Sequence, residues 1–510
     1  MVAGINFKSL SKKIAWNVIT GSKLFKEMQQ RMPEKKANEA VSDIEKSGID
    51  FMNTIYCYVK TDKRMQGGNK VAVLIPLSSA TDLEVYIKKI FPDVIIKLNG
   101  ERKEVTIKNI MYLGWEKKLL IVTNMMNTSE GKAGNDDTEM SAEMDNAFTI
   151  TAENSIINNK HFKTLETGGH DATLWVNYDQ AMNQYMNESM ADKMGGLSLS
   201  NTLWKDAAFT AGFDFKTGKI SGDMNYYVSE EMGEIGKELG AVNADKDMIE
   251  RMPMQNLGLL MSWHLSPTGL KKSIEKTGLL GLVNIGLGTQ GLNVDNILDA
   301  FTGDMAIVMN DVSVKNVIEE ENFMGQMVAH PTQKPSLNMT FVIKINKKEN
   351  FMKMFDMYKD LGGLIPIGNN GYTLPIGTKD SAFILINDKY VAASNKYENA
   401  KGFLDASIKN NKVPDVVRSE IIGHPLGVFL DINQLVKNID PGIVNSAHDS
   451  AILMESKKLI STISINGGSF KNNSFESHLD INFTNTEENS IIALMDYGMR
   501  ISDADKLNKN

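Results

Sequence analysis

The chain has 510 residues, a formal net charge of −8 at pH 7 and 42% hydrophobic residues. This acidic balance argues against nucleic-acid binding, which needs a clustered basic surface, and no apolar run reaches the roughly 18 residues of a membrane helix. Cys57 is the one cysteine, so an internal disulfide cannot form, and we interpret Cys57 as a small hydrophobic residue buried in a strand.

Residues 2–123 predict strands and helices in the order β-α-β-β-α-β. The predicted elements are a strand over 2–7, an amphipathic helix over 9–32 that Pro33 ends, strands over 49–59 and 70–77, a helix capped by Ser79 or Thr81 that runs to Ile90, and strands over 105–113 and 118–123. This order is that of a ferredoxin-like unit. Antiparallel or mixed sheets with helices on one face follow most naturally from it.

The rest of the first half predicts a loop followed by alternating strands and helices. Residues 125–154 are polar and poor in apolar residues, so we predict an exposed loop there. The elements predicted after it are a short helix over 156–165, a strand over 172–177, a helix over 178–190, a hairpin of strands 207–215 and 220–228, and a helix over 230–239.

The second half predicts the same order of elements with a longer insertion. Residues 305–310 and 338–345 are predicted to pair as strands around an insertion over 312–336. The other predicted elements are strands over 258–265, 372–376, 382–393, 427–432, 459–465 and 477–483, and helices over 267–277, 348–361, 397–406, 433–438 and 487–499.

Two segments of the first half recur in the second half in the same order. Lys117-Lys-Leu-Leu-Ile-Val-Thr-Asn124 is echoed by Asp388-Lys-Tyr-Val-Ala-Ala-Ser-Asn395, and residues 168–180 are echoed by residues 422–434. We therefore predict an internally duplicated α+β protein with halves over 1–245 and 246–510. The seam is placed near residues 241–253.

The start of the chain is similar to a known family. The strand Val2-Ala-Gly-Ile-Asn-Phe7, the segments over 8–17 and 22–27, and Ser47-Gly-Ile-Asp50 before a strand resemble an uncharacterised family of exported Bacteroidota proteins, usually lipoproteins with a domain of unknown function. The resemblance implies a leader and a lipidated cysteine before the first strand. Neither is in this sequence, so we expect a chain from which a signal peptide has been removed. We also expect outer-membrane association, on the periplasmic or the surface face, through a lipid anchor that this chain lacks.

The sequence contains no strong catalytic, cofactor or metal motif, and we predict none of these sites. Gly286-Leu-Gly-Thr-Gln-Gly291 has the G-x-G-x-x-G pattern, with Asp311 20 residues further on. A dinucleotide fingerprint needs a strand before the glycines, whereas a predicted helix precedes these, so we interpret them as a flexible connector.

The histidines give no metal spacing either. His170 and His424 each follow a glycine and precede a strand, which suggests a shared turn more simply than a shared site. The remaining histidines lack the H-x-x-x-H and H-E-x-x-H spacings; they are His161, His264, His330, His448 and His478. Asp380-Ser381-Ala382 and Asp449-Ser450-Ala451 resemble the O-glycosylation acceptor of exported Bacteroidota proteins, so Ser381 and Ser450 are candidate modification sites.

These observations favour a non-enzymatic cell-envelope lipoprotein, acting as a scaffold or binding subunit of an outer-membrane protein complex. The partners would be outer-membrane or other envelope proteins, contacted through the insertions at 125–154 and 312–336, because function gathers on long loops. One alternative is a hydrolase with a cleft between the halves. Another is a peptide or small-ligand binding protein that uses a sheet edge or a Met-lined groove; the chain has 31 methionines.

Overall fold

The computed structural model describes most of the chain. The described residues are 1–22, 25–26, 44–61, 69–107, 111–126, 137–181, 204–276, 278–323, 326–361, 363–368, 371–376, 380–408, 413–439 and 447–507. The chain is 37% helical and 39% strand, with a large antiparallel sheet, so the predicted α+β class is confirmed.

The described residues between the start of the chain and Tyr227 form ten strands and five α-helices. The strands are β1 (Val2–Asn6), β2 (Thr54–Thr61), β3 (Asn69–Pro76), β4 (Lys97–Asn99), β5 (Arg102–Ile107), β6 (Met111–Trp115), β7 (Leu119–Met126), β8 (Ala172–Asn177), β9 (Ala208–Lys216) and β10 (Lys219–Tyr227), among the described residues. The helices of this described part are α1 (Phe7–Leu10), α2 (Trp16–Gly21), α3 (Ala80–Ile90), α4 (Asp137–Phe148) and α5 (Lys160–Thr167).

The remaining described elements follow β10. The helices are α6 (Gly233–Leu239), α7 (Lys246–Glu250), α8 (Pro267–Lys276), α9 (Leu280–Gly288), α10 (Val294–Ala300), α11 (Lys348–Leu361), α12 (Tyr397–Leu404), α13 (Asp415–Glu420), α14 (Ile432–Val436), α15 (Ala447–Leu459) and α16 (Ser490–Leu507). The strands are β11 (Leu257–His264), β12 (Phe301–Phe323), β13 (Gln326–Ile345), β14 (Ile365–Ile367), β15 (Gly371–Ile376), β16 (Asp380–Ile386), β17 (Tyr390–Ser394), β18 (Leu426–Asp431), β19 (Ile460–Lys471) and β20 (Ser474–Phe483).

The chain divides into two compact units. Unit 1 comprises Met1–Tyr178, Ala208–Met224 and Glu487–Met499, and unit 2 comprises Asp179–Ala207, Asn225–Thr486 and Arg500–Asn510. The segment 241–253, predicted as the seam, contains α7, whose Met248 and Ile249 are fully buried in the main core of unit 2. The predicted halves over 1–245 and 246–510 remain a prediction about the repeated sequence.

The strands β1 to β9 of unit 1 form an antiparallel sheet in the order β9-β8-β1-β2-β3-β7-β6-β5-β4. The ferredoxin-like arrangement is not confirmed. In a split β-α-β unit the two strands that a helix connects are not neighbours, whereas β1 pairs directly with β2, Val2 opposite Tyr58.

The described strands of unit 2 pair in the same spatial order. Their order is β20-β19-β18-β11-β12-β13-β17-β16-β15-β14, and every pair is antiparallel. Each of the eight unit 1 pairs in the order above therefore has a counterpart in unit 2, with β1 corresponding to β11 and β8 to β18. The repeated segments lie at β7 and β17 and at β8 and β18.

Helices cover both faces of the unit 1 sheet, so the expectation of helices on one face is wrong. Leu83 of α3 packs in one core cluster with Leu120, and Met144 of α4 packs in another with Ile121. Neighbouring residues of a strand point to opposite faces, so α3 and α4 lie on opposite sides of β7.

The helix α4 corrects the prediction of a loop over 125–154. Met144 is fully buried, and Glu143 beside it accepts a hydrogen bond from the Tyr58 hydroxyl at 3.0 Å and lies 3.6 Å from Lys70 Nζ. Burial and the Glu143 charge together raise the pKa of Tyr58. Packing against the sheet stabilises this largely polar segment as a helix. Residues 127–136 lie outside the described residues.

The predicted helix over 9–32 is also corrected in part. The helix α1 ends at Leu10, and Ala15 is extended before α2 begins at Trp16. Between them Ile14 is 5% exposed and Lys13 pairs with Asp171 at 2.5 Å. These tertiary contacts outweigh the helical propensity of the segment. Of the remaining positions, 23–24 and 27–32 lie outside the described residues, as do 182–190 of the helix predicted over 178–190.

Candidate functional site

Unit 2 carries a two-stranded arm formed by the ends of β12 and β13. Eleven consecutive pairs, from Ser313 opposite Ser336 to Phe323 opposite Gln326, form the arm. Among the described residues these pairs join β12 to β13 alone, apart from a bridge between Ser313 and Asn438. At about 3.4 Å per residue the arm is about 34 Å long. The predicted pairing of 305–310 with 338–345 is confirmed, and the insertion over 312–336 is this arm.

The root of the arm is an irregular position held by amide side chains. Asp311 has a φ of +53° where the β12–β13 register shifts, a conformation that costs most residues about 1–2 kcal/mol. Asn256 Nδ2 donates to Asp311 Oδ1 at 2.7 Å, and Asn338 Nδ2 donates to Asp311 Oδ2 at 2.5 Å. Asn310 Nδ2 donates to the Gln255 carbonyl at 3.0 Å. These bonds fix the direction in which the arm leaves the sheet.

The arm exposes apolar side chains and sheet edges. Ile318 is 73% exposed and Val328 is 47% exposed. Pro331 and Pro335 of β13 stand opposite Ile318 and Val314. Antiparallel pairs alternate between bonded and non-bonded types, and proline lacks an N–H. Both prolines therefore occupy positions whose nitrogens face outward, where they remove donors from the free edge.

A buried polar cluster lies in unit 2 where β11 ends and β12 begins. Asp304 Oδ1 lies 2.9 Å from His264 Nδ1, and Thr302 Oγ1 donates to Asp304 Oδ2 at 2.8 Å. The Asp245 amide donates to Asp304 Oδ1 at 3.2 Å, and Lys344 Nζ donates to the Asp245 carboxylate. Burial alone would raise the pKa of Asp304, but the His264 and Thr302 bonds and the nearby positive charges outweigh it, so the pKa lies below its ordinary value.

The paired imidazole and carboxylate of this cluster resemble the base and its orienting acid in hydrolases. The His264 and Asp304 side chains are each only 7% exposed. A general base must come within hydrogen-bond reach of the proton that it removes, and this degree of burial closes both groups to a substrate. The arrangement therefore supports a structural role at the strand ends.

Unit 1 has a polar cluster where β8 begins and β9 ends. The Asp171 side chain is fully buried and accepts three bonds, from Lys13 Nζ at 2.5 Å, Ser9 Oγ at 2.7 Å and the Phe215 amide at 2.7 Å. Sequence reasoning missed Asp171. Its three donors are more than 40 residues away along the chain, so only the fold brings them together.

His170 lies beside this cluster and packs against glycine. Its Nδ1 lies 3.0 Å from Asp214 Oδ2, and its side chain is 17% exposed. A Cβ placed on Gly212 would stand 2.1 Å from His170 Cδ2, so the ring occupies the space that a side chain there would need. His424 is half-buried, and its carbonyl accepts from the Ala244 amide at 3.0 Å. These contacts agree with a role for both histidines in their turns.

The other residues selected from the sequence lie on separate elements. Ser381 is half-buried in β16 opposite Pro375, and Ser450 is half-buried in α15; their glycosylation stays a prediction. Gly286 and Gly288 lie in α9, which follows the helix α8 and no strand. Cys57 is half-buried in β2, and burial raises the pKa of its thiol, which disfavours the reactive thiolate.

Neither a metal centre nor a membrane-spanning helix is found in the part of the chain that the structure describes. No group of three or more histidine, cysteine, aspartate or glutamate side chains there could hold a metal ion. No described helix is both long and apolar enough to cross a membrane.

Comparison with known proteins gives distant similarities. No protein-family model and no curated protein matches this chain. Two crystal forms of TP0453, III and IV, match with TM-scores of 0.24 and 0.25 and 8% sequence identity. They cover 45% and 47% of this chain and 76% and 80% of the TP0453 chains. Similarities of this size carry no argument about fold or function.

Proposed function

We propose that this chain is a non-enzymatic scaffold or binding subunit of an outer-membrane protein complex, and that it contacts its partner through the arm of β12 and β13. The cell-envelope location and the lipid anchor come from the sequence resemblance. The observation that carries the proposal is the arm itself: eleven strand pairs beyond the body of the unit 2 sheet, with Ile318 and Val328 exposed.

A partner strand can extend such an arm by backbone hydrogen bonds. Strand addition takes its affinity from the main chain and its specificity from alternate side chains. Pro331 and Pro335 interrupt the donors along the outer edge of β13, which limits uncontrolled edge pairing. The exposed Ile318 would enter an apolar pocket on the partner, the usual position of the strongest contacts in an interface.

We also propose that the two units arose by an ancestral duplication. The support is the matched pairing order of their strands, together with the repeated segments at β7 and β17 and at β8 and β18. Under this proposal the arm is an elaboration of the second copy, because β2 and β3 have 8 residues each and β12 and β13 have 23 and 20. An elaborated hairpin on a shared scaffold is a common location of a specific function.

The test is affinity purification from native membranes, using the full gene with its leader, followed by mass spectrometry. In the first variant a two-residue Asn-Gly turn replaces residues 314–335. Pro335 cannot donate a hydrogen bond, so we place the Val314–Pro335 pair at a non-hydrogen-bonded position. Because the two pair types alternate, the next pair, Ser313 and Ser336, is hydrogen-bonded, and a two-residue turn closes a pair of this type. The second variant is Ile318→Glu. Its control is Ile365→Glu, because Ile365 is also an exposed isoleucine of unit 2, at 55%.

We expect the unaltered chain and Ile365→Glu to recover the same stoichiometric envelope partner. The shortened arm should lose this partner, and Ile318→Glu should retain less than a tenth of it. Equal recovery by the shortened chain would refute the role of the arm. Recovery of the unaltered protein alone would refute the subunit proposal.

A further inference from the structure

The helix α9 of unit 2 consists of apolar residues and glycine except for Asn284, and six of its nine residues are exposed. Its sequence is Leu-Gly-Leu-Val-Asn-Ile-Gly-Leu-Gly, and none of its nine residues, all of which are described, is buried. Leu282 is 59% exposed, Val283 is 36% exposed and Ile285 is 72% exposed. A helix that is hydrophobic all round normally lies in a protein core or in a membrane.

The polar groups of α9 are turned inward or paired. Asn284, its one polar side chain, is half-buried and accepts the Val294 amide at 2.9 Å. At the C-terminal end the Leu292 amide donates to the Leu287 carbonyl at 3.1 Å and the Gly291 amide donates to the Gly288 carbonyl at 3.1 Å. With Gly291 at a φ of +73° this is a Schellman cap. It satisfies carbonyls that hydrocarbon could not hydrate.

The sequence segment that contains α9 has no charged residue. Residues 277–294 contain no Asp, Glu, Lys or Arg. The lysines of α8 each lie near an acid: Lys271 lies 2.7 Å from Asp295, Lys272 lies 2.6 Å from Glu238, and Lys276 lies 3.3 Å from Glu231. An uncharged apolar surface matches hydrocarbon and leaves no basic residue of this region to attract anionic headgroups.

We propose that α9 inserts into the surface of a lipid bilayer. At 1.5 Å per residue α9 is about 13 Å long, so it is too short to span a bilayer but long enough to enter its interfacial layer. A protein partner would bury one face of the helix. A stable protein interface also needs roughly 800 Å² per partner, which a helix of this length does not provide. Lipid can cover the exposed Leu282, Val283 and Ile285 without supplying hydrogen bonds or charges, which fits a surface that presents none.

This contact is separate from the proposed lipid anchor and from the arm. Vesicle binding is measured with residues 1–510 produced without lipidation, so that it reports on the protein surface. Because residues 277–294 are uncharged, binding should not need anionic lipid, and once salt screens the net charge of −8 it should differ less than twofold between phosphatidylcholine vesicles and vesicles that contain phosphatidylglycerol. It should also persist in 0.5 M salt, where charge interactions are screened.

The experiment is flotation of the full chain with phosphatidylcholine vesicles. The variants are Leu282→Glu and Ile285→Glu, and the control is Ile95→Glu, because Ile95 is 78% exposed in unit 1, close to the 72% of Ile285. A second readout uses Leu282→Cys in a Cys57→Ser background, labelled with an environment-sensitive fluorophore. Equal thermal unfolding curves will show that the variants are folded.

We expect the unaltered chain and Ile95→Glu to float with vesicles, each α9 glutamate variant to lose at least tenfold of the bound fraction, and the label at position 282 to shift to the blue. Failure of the unaltered chain to float, or equal flotation of Ile285→Glu, would overturn the proposal. A dimer that Ile285→Glu dissociates would assign α9 to a second copy and overturn it as well. Flotation with vesicles does not depend on the proposed protein partner, because vesicles contain no protein. The result of the membrane pull-down therefore neither supports nor refutes insertion of α9.

Discussion

Replacing Asp171 by alanine is predicted to destabilise unit 1 more than replacing a more exposed carboxylate nearby. The fully buried Asp171 side chain accepts bonds from Lys13, Ser9 and the Phe215 amide. Alanine removes both carboxylate oxygens, so all three bonds are lost at once. Lys13 is 31% exposed, so water can hydrate its ammonium group when the carboxylate is removed. The Phe215 amide is held in the strand β9 and would lose its acceptor.

The magnitude follows from these three bonds. Removing one partner of a buried ion pair costs about 3–5 kcal/mol, but the exposure of Lys13 reduces its share to about 1 kcal/mol or less. The Ser9 and Phe215 bonds to a charged acceptor are worth about 1.5–3 kcal/mol each, and they are not additive. We therefore expect Asp171→Ala to lower the unfolding free energy of unit 1 by about 2–4 kcal/mol.

Native-state hydrogen exchange measures this loss locally, because the amides of β1 and β8 report the opening of unit 1. The matched control is Asp214→Ala, since Asp214 is 29% exposed and contacts Lys13 at 3.7 Å and His170 at 3.0 Å. The control should lose about 1 kcal/mol or less. A loss below 1 kcal/mol for Asp171→Ala, or equal losses for both variants, would refute the reasoning.

Three further predictions concern packing, pH and backbone strain. Gly212→Ala should cost about 1–3 kcal/mol by displacing the His170 ring, and adding His170→Ala should recover most of it in thermal unfolding; no recovery would contradict the contact. The pKa of Asp304 is lowered from 3.8, so its stabilisation is present above pH 4 and is lost as pH falls through the folded pKa. Asp304→Asn should flatten the fall of the urea midpoint below pH 4, and an unchanged slope would oppose this. Asp311→Ala should be about 1 kcal/mol less stable than Asp311→Gly, because only glycine relieves the positive φ; hydrogen exchange of the arm amides measures the difference, and equal exchange would count against it.

The predictions that succeed rest on strong local patterns. The helix predicted over 348–361 is observed with the same bounds, as α11, because its apolar residues recur at helical spacing. The pairing of 305–310 with 338–345 is observed in register, because both runs combine β-branched and apolar residues. Ser79 caps α3 by accepting the Asp82 amide at 3.2 Å, as its position before an apolar run predicts.

The features that sequence alone did not predict depend on contacts between distant residues. The helix α4 gains its stability by placing Met144 on the sheet, and the spacing of Met140, Met144 and Phe148 was the only local signal for it. The Asp171 cluster joins Ser9 and Asp171 across 162 positions. The positive φ of Asp311 is set by Asn256 and Asn338, and no residue beside Asp311 marks it.

Among the described strands, one hairpin of unit 2 is much longer than its counterpart in unit 1. If both units descend from one ancestor, the strand order that they share is what the fold requires. An extra structural feature that occurs in one unit alone then needs another explanation. The hairpin of β12 and β13 is such a feature, since its strands have 23 and 20 residues against 8 and 8 for β2 and β3. A long two-stranded extension is costly to order and exposes edges that can aggregate. Pro331 and Pro335 lack N–H donors, which lowers the risk that the edge of β13 aggregates, but the entropy cost of ordering the arm remains. Under the proposed function, binding to a partner provides free energy that offsets the entropy cost of ordering the arm. Affinity purification of the shortened variant from native membranes tests this explanation directly.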